Sequence, residues 1–276
     1  MQIVSANGAS IPALGFGTFR VPGPDTERMV AHVLRNGYRH IDTAQIYGNE
    51  AEVGDGIRHS GIARADLFLT TKVWVENYRH EAFVASVDES LKKLKTDYVD
   101  LLLLHWPNAT VPLAEQIGAL NDVARAGKVR HIGVSNFNRV LMREAAALSE
   151  LRLVTNQVEY HPYLDQSAVI ETARSLGMSV TAYYAMADGK VLSDTPLKEI
   201  ASRHGKSVAQ IVLRWIVQQG LVVLSKTVSE SRAMENAAIF DFALTQDEMA
   251  AIHALSRPDG RIVSPDGLAP VWDEAA

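Results

Sequence analysis

The chain has 276 residues, 47% of them apolar and 21% charged, which is ordinary globular usage and far from that of disordered chains. Its 27 Lys and Arg stand against 32 Asp and Glu, a net charge of −5, so any anion site must be local rather than a product of bulk electrostatics. The absence of cysteine excludes disulfides, thiolate zinc sites and cysteine nucleophiles together.

The first residues, from Met1 to Gly8, contain no basic stretch followed by an apolar one, so no secretory signal is expected. The segment Gln2–Ile11, centred on Asn7-Gly8, reads as a short β-hairpin. Apolar, β-rich runs follow at Leu14–Gly17, Arg39–Asp42, Leu67–Lys72, Val99–His105, Val129–Ser135, Leu153–Glu159, Ser179–Tyr183 and Val222–Leu224. Between them lie amphipathic stretches: Asp25–Arg35, with an acidic cap, Glu50–His59, His80–Leu94, Leu113–Arg125, Arg139–Leu148, Gln166–Ser175, Thr195–Arg203 with Ser207–Gln218, and finally Ser229–Ala238. Runs such as Val99–Leu104 are nearly continuous in apolar residues, as strands covered on both faces must be. Strands alternating with helices mean parallel βα units. An open doubly wound sheet fits the alternation too, but eight strands without a linker-like break favour one (β/α)8 TIM barrel domain over residues 1–276. Arg257–Ala276, with three prolines and two glycines, reads as an irregular tail. Runs such as Leu101–Leu104 and Leu221–Leu224 are far shorter than the roughly 20 residues of a membrane helix. A soluble, cytoplasmic chain is expected.

In such a barrel the reactive groups collect where the strands end. Those ends supply Asp42 with Tyr47 five residues on, Lys72, His105, Ser135-Asn136, Asn156-Gln157, Tyr183-Tyr184, and Ser225-Lys226-Thr227. Singly, each has an ordinary reading: Asp42 as a helix cap, Tyr47 as loop packing, Lys72 as a snorkelling side chain, His105 as a satisfied core histidine. At successive strand ends they form a set. A Lys ammonium lowers the pKa of a neighbouring phenol, an Asp holds the Lys, and a His polarises a carbonyl oxygen. After the eighth strand, Thr227 or Ser229 can cap the next helix, and Lys226 and Arg232 suit a phosphate, with Glu235 and Asn236 suiting a purine edge. No Gly-x-Gly-x-x-Gly follows a strand, no metal-ligand spacing occurs, and aromatics (7%) are not interleaved with basic residues, so neither a Rossmann site, a metal nor a nucleic-acid partner is expected.

Read together, Leu14–Phe19, Gly37–Glu50, Thr71–Trp74, Asp97–Leu101, Leu104–Pro107, Gly133–Phe137 and Asn156–Tyr160 resemble the aldo-keto reductases over essentially the whole chain. The closing Asp259–Trp272 is similar to the bacterial 2,5-diketo-D-gluconate reductase branch. The resemblance implies NADPH-dependent reduction of aldehydes and ketones, keto-sugars and methylglyoxal among them, by a monomer. It implies Tyr47 as proton donor, Asp42 and Lys72 lowering its pKa, and His105 orienting the carbonyl. It places Ser135, Asn136, Gln157 and Tyr183 at the nicotinamide end and Lys226, Thr227, Arg232, Glu235 and Asn236 at the adenosine end of NADPH/NADP+, with Gly17 and Thr18 also binding the cofactor. Phe19, Trp74, Trp106, Leu268 and Trp272 are expected to shape the substrate space. Ser225 departs from the proline usual before the phosphate-binding Lys, Phe19 replaces a Trp found in many members, and Tyr184 stands where small residues are common. Two rivals are a nucleotide-sensing regulatory module of the same fold and a Schiff-base aldolase using Lys72. The intact Asp42, Tyr47, Lys72 and His105 set favours the reductase.

Overall fold

The computed structural model describes residues 2–273; Met1 and residues 274–276, the last of the expected tail, lie outside the described residues. Strands β1 (Ile3–Ala6) and β2 (Ala9–Pro12) pair antiparallel, with Ala6 opposite Ala9. Asn7 and Gly8 between them both take positive φ (46° and 91°), the demand that makes Asn-Gly the favoured hairpin turn. The Asn7 amide donates to the carbonyls of Leu153 (2.7 Å) and Leu176 (3.0 Å). Both lie at or just before the start of a barrel strand, so the hairpin closes the barrel floor.

Eight parallel strands form a closed barrel in chain order: β3 (Leu14–Gly17), β4 (His40–Asp42), β5 (Phe68–Val73), β6 (Val99–Leu104), β7 (Val129–Ser135), β8 (Leu153–Glu159), β9 (Ser179–Tyr183) and β10 (Val222–Ser225). Pairing of Val223 with Leu14 and Leu224 with Gly15 closes the ring, which decides for the barrel against the open sheet. Every residue of β5, β6 and β8 is buried; helices cover the outside and side chains fill the inside, so these strands have no solvent face to mark with polar residues.

The helices are α1 (Gly23–Arg35), α2 (Glu50–Ser60), α3 (His80–Leu94), α4 (Leu113–Arg125), α5 (Arg139–Leu148), α6 (Ser167–Ser175), α7 (Thr195–His204), α8 (Val208–Gln218), α9 (Glu230–Ala237) and α10 (Gln246–His253). Several starts are written locally. Asn138, Asp194 and Ser207 accept the backbone N–H three residues on, at the heads of α5, α7 and α8. Ser229, not Thr227, caps α9; the Thr227 hydroxyl accepts the Ser229 N–H at 3.0 Å.

Two expectations are corrected. Asp25 does not cap α1: the helix begins two residues earlier behind Pro22, where Pro24 presets the backbone of the first turn. Asp25 lies inside that turn and pairs with Arg28 at 2.7 Å. Helix α10 is not among the expected elements, although Thr245 and Glu248 form a full capping box at its head. From Arg257 to residue 273 the chain is irregular, as expected, yet it packs on the barrel through Ile262, Val263, Leu268 and Trp272.

Candidate active site

Asp42 ends β4 and Lys72 stands one residue before the end of β5, both at the carboxyl rim. Tyr47 closes a single 3-10 turn, Gln45–Tyr47, which carries the phenol back over that rim. The Lys72 ammonium is fully buried and donates to Asp42 Oδ1 (2.5 Å), the Thr43 carbonyl (2.9 Å) and the Tyr47 hydroxyl (3.3 Å). His105 follows β6, its ring edge-on to Tyr47 (5.7 Å between centroids) and to Trp74 (5.3 Å). The four residues therefore converge.

The electrostatics differ from the expectation in one respect. Burial, and then the Asp42 carboxylate, push the Tyr47 phenol well above its ordinary pKa in the free protein, so the net shift is upward although the Lys72 ammonium lies 3.3 Å from the hydroxyl. The ammonium is already matched by Asp42, 2.5 Å away, and burial pulls its own pKa down. Burial, and then the Lys72 charge, hold the His105 imidazole well below its ordinary pKa, so the ring is neutral at pH 7. His105 Nδ1 is buried without a hydrogen-bond partner.

A second set of polar groups surrounds the first. Gln157 donates to Asp42 Oδ2 at 2.7 Å, so both oxygens of this carboxylate are engaged. The Ser135 hydroxyl donates to the Gln157 carbonyl (2.7 Å), and the Asn136 amide donates to Ser135 Oγ (3.2 Å) and the His105 carbonyl (3.0 Å). Tyr183 closes the set by donating to Asn136 Oδ1 at 2.6 Å. Asn136 holds a φ of +63°, a conformation a non-glycine residue adopts at some cost and one that clusters at functional sites. Gly17 ends β3 opposite Asp42. Thr18 is fully buried, and its hydroxyl is committed to the Asp42 carbonyl (3.2 Å) and Asn49 Oδ1 (3.4 Å), so its side chain faces the protein rather than the mouth. Asn49, which no sequence motif singled out, also donates to the Thr18 carbonyl and accepts from Thr43. It knits the β3 and β4 ends together.

Lys226, Thr227, Arg232, Glu235 and Asn236 gather just after β10 and along α9. Lys226 and Arg232 are exposed, and among the described residues neither side chain has an ion-pair partner. Ser225 Oγ lies 3.3 Å from the Tyr38 hydroxyl, which in turn donates to the Ala233 carbonyl, so the serine that departs from the usual proline ties the strand end to α9. Phe19 leans on Tyr47 (5.0 Å) and Trp272 on Trp106 (6.3 Å). Leu268 packs half-buried on the barrel. Tyr184 accepts from Arg20 at 3.3 Å. Among the described residues no group of three or more His, Asp or Glu is placed to hold a metal ion.

The chain matches the profile of the Aldo/keto reductase family over residues 13–257. It is 43% identical over 267 residues to the methylglyoxal reductase DkgB of Yersinia pestis, across 96% of this chain and 100% of that protein. It is 41% identical to the glyoxal reductase of Bacillus subtilis, across 95% of each. A crystal structure provisionally described as a 2,5-diketo-D-gluconic acid reductase B is 67% identical and superposes with a TM-score of 0.98 over 99% of this chain and 98% of that one. The Bombyx mori aldo-keto reductase, solved with NADP, is 34% identical with a TM-score of 0.86 over 92% of each chain. The chain belongs to the aldo/keto reductase family. It is accordingly an oxidoreductase of the NADP-dependent class that reduces aldehydes and ketones, and within the family it is close to the DkgB-type branch.

Proposed function

We propose that this chain uses NADPH to reduce small α-keto aldehydes, methylglyoxal among them, and keto-sugars to alcohols, with Tyr47 as the proton donor. One observation carries the reading: the Lys72 ammonium is shared between the Asp42 carboxylate and the Tyr47 hydroxyl, with a neutral His105 ring against the same phenol. When bound, NADPH supplies the hydride and with it the difficult part of the chemistry.

The residues present fit that cofactor. Two exposed cations at the β10 end, without ion-pair partners among the described residues, suit the 2′-phosphate, beside Thr227, Glu235 and Asn236 for the rest of the adenosine end. Ser135, Asn136 and Gln157 offer amide and hydroxyl groups to a carboxamide, and Tyr183 offers a ring face beside them. At the reacting centre, His105 Nε2 and the Tyr47 hydroxyl receive the carbonyl oxygen as it gains negative charge. Tyr47 gives up its proton, and the Lys72 ammonium stabilises the phenolate that remains. The raised pKa of Tyr47 keeps the proton in place until that charge develops. Phe19, Trp74 and Trp106 wall the site, and Leu268 and Trp272 bound its entrance.

The aldolase alternative finds little support, because a nucleophilic amine needs a free lone pair and an approach path. Lys72 has neither, being fully buried and donating in three directions. Residues 1–276 act as one cytoplasmic, monomeric unit on this reading. The test is the loss of NADPH absorbance on addition of methylglyoxal or a keto-sugar. The purified chain consumes NADPH only when the carbonyl is present, and NADH is the poorer donor; no carbonyl-dependent oxidation of either nucleotide would refute the reading.

A further inference from the structure

Glu159 ends β8 and is entirely buried, a place where an ionisable side chain is rare unless its oxygens are filled. They are filled by the tail. Oε1 accepts the Ile262 N–H and His161 Nε2, each at 2.8 Å, and Oε2 accepts the Val263 N–H at 2.8 Å. Two consecutive amides from a segment more than a hundred residues away thus close on one carboxylate. The same stretch of β8 and its loop grips the tail again just upstream. The Tyr163 carbonyl accepts the Arg257 N–H at 3.1 Å, and Gly260 lies so close that an added Cβ would come within 1.7 Å of the Tyr163 oxygen.

Beyond the clamp the tail folds back on itself. Arg261 lies over the Trp272 ring at 3.7 Å, and the Trp272 indole donates to Ser264 Oγ at 3.0 Å. Arg261 also approaches Glu159 Oε2 at 3.8 Å. Trp272 then stands edge-on to Trp106, the residue after His105. The carboxylate, the two amides, the guanidinium and the two indoles form one continuous chain of contacts from the end of β8 to the wall beside the reacting centre.

We propose that Glu159 is a positioning residue for substrate selection: by clamping the Ile262 and Val263 amides it fixes where Trp272 stands against Trp106, and so sets the width of the opening through which a carbonyl compound reaches Tyr47. The inference rests on the reading of that opening as the substrate entrance. A carboxylate is the group this place requires, since all its partners are donors. In Glu159→Gln an NH2 group faces one of those donors, and the clamp is broken with almost no change of shape.

The experiment compares the parent, Glu159→Gln, Trp272→Ala and the double variant on a small carbonyl (methylglyoxal) and a bulky one (a keto-sugar). It also measures NADPH affinity and amide exchange over residues 260–273. In Glu159→Gln, exchange of that segment accelerates, KM for the bulky substrate changes about ten-fold, and kcat for methylglyoxal and NADPH affinity stay within about two-fold. The double variant matches Trp272→Ala alone, because both changes act through one indole. Additive effects, or an unchanged substrate ranking while the tail exchanges faster, would overturn the proposal. So would an equal loss for both substrates together with NADPH binding. If Glu159→Gln does not fold, Ile262→Pro removes one amide, keeps the carboxylate and is expected to give the same split. A parent that reduces neither substrate overturns the reading of the site itself; a parent that reduces both, with any of the contrary results above, overturns the role of Glu159 alone.

Discussion

At the scale of single residues, the site is an ion pair with a phenol attached. Lys72 is among the largest fully buried side chains, and Asp42 is its counter-charge. A buried charge stripped of its partner is costly, on the order of 3–5 kcal/mol. Asp42→Asn is therefore expected to lower stability by about that amount as well as turnover, read by denaturant unfolding beside the NADPH assay. An unchanged midpoint would mean that water, not Asp42, carries the compensation. Lys226 and Arg232 belong to a different regime, exposed and, among the described residues, without ion-pair partners. Replacing both with Met is expected to weaken NADPH by about 1.5–3 kcal/mol for each charge-assisted hydrogen bond removed, while NADH binding hardly moves. Titration of both nucleotides checks this, and equal losses would make these residues supports of α9. Asp42, Lys72 and His105 were legible in the sequence because each sits at or beside a strand end that the apolar pattern marks, and Tyr47 because it follows Asp42 within the reductase-like stretch Gly37–Glu50. Asn49 and Glu159 were not singled out, although both lie inside reductase-like stretches, because their partners are remote: Asn49 reaches Thr18 across 31 positions, and Glu159 meets the amides of residues 262 and 263. The downward shift expected for Tyr47 failed for a related reason. Spacing brings Lys72 near the phenol but does not show how deeply the phenol is buried, which is the larger cause of its upward shift.

At the scale of elements, helix α10 offers a pH test. Glu248 completes the capping box with Thr245 and receives His204 and Arg203. Its burial alone would raise its pKa, but the His204, Thr245 and Arg203 contacts outweigh that and hold the carboxyl down at about 2. A carboxylate with a depressed folded-state pKa stabilises the fold above its unfolded pKa, near 4.5, and loses that contribution as pH falls toward 2. Glu248→Gln is expected to cost about 1–2 kcal/mol at pH 7, a cap-sized effect, with the gap from the parent closing between about pH 4.5 and about pH 2. Thermal melts across that range decide it; a gap constant in pH would assign the loss to packing. The capping box was present in the sequence, but α10 is only eight residues long. Its neighbours Arg257–Pro270 dominate the composition of the region, so the helix was hidden. The start of α1 was misplaced because Asp25 is a good cap residue that Pro24 displaces into the first turn.

At the scale of the whole molecule, the barrel divides the labour between its two ends. The floor holds the hairpin through Asn7, the mouth holds the chemistry, and the strands that join them are close-packed along their length. Asn7→Ala removes two hydrogen bonds at the floor and is expected to cost about 1–3 kcal/mol of stability, with kcat for methylglyoxal unchanged. A fall in kcat without a fall in stability would show that the two ends are coupled. The barrel was readable because its eight strands leave eight separate apolar runs, while closure itself, β10 against β3, rests on pairing that no run reveals.

The most direct measurement is the turnover of Tyr47→Phe with NADPH and methylglyoxal, taken with its NADPH affinity. The substitution removes one hydroxyl from a site whose other groups are held by Asp42, Asn136 and the barrel itself. Turnover is expected to fall by about 10²–10⁴-fold, the contribution of general acid catalysis, with NADPH bound as tightly as by the parent. A variant that reduces methylglyoxal within a few-fold of the parent rate would contradict the assignment of Tyr47 and, with it, the function proposed for the Asp42, Lys72 and His105 set.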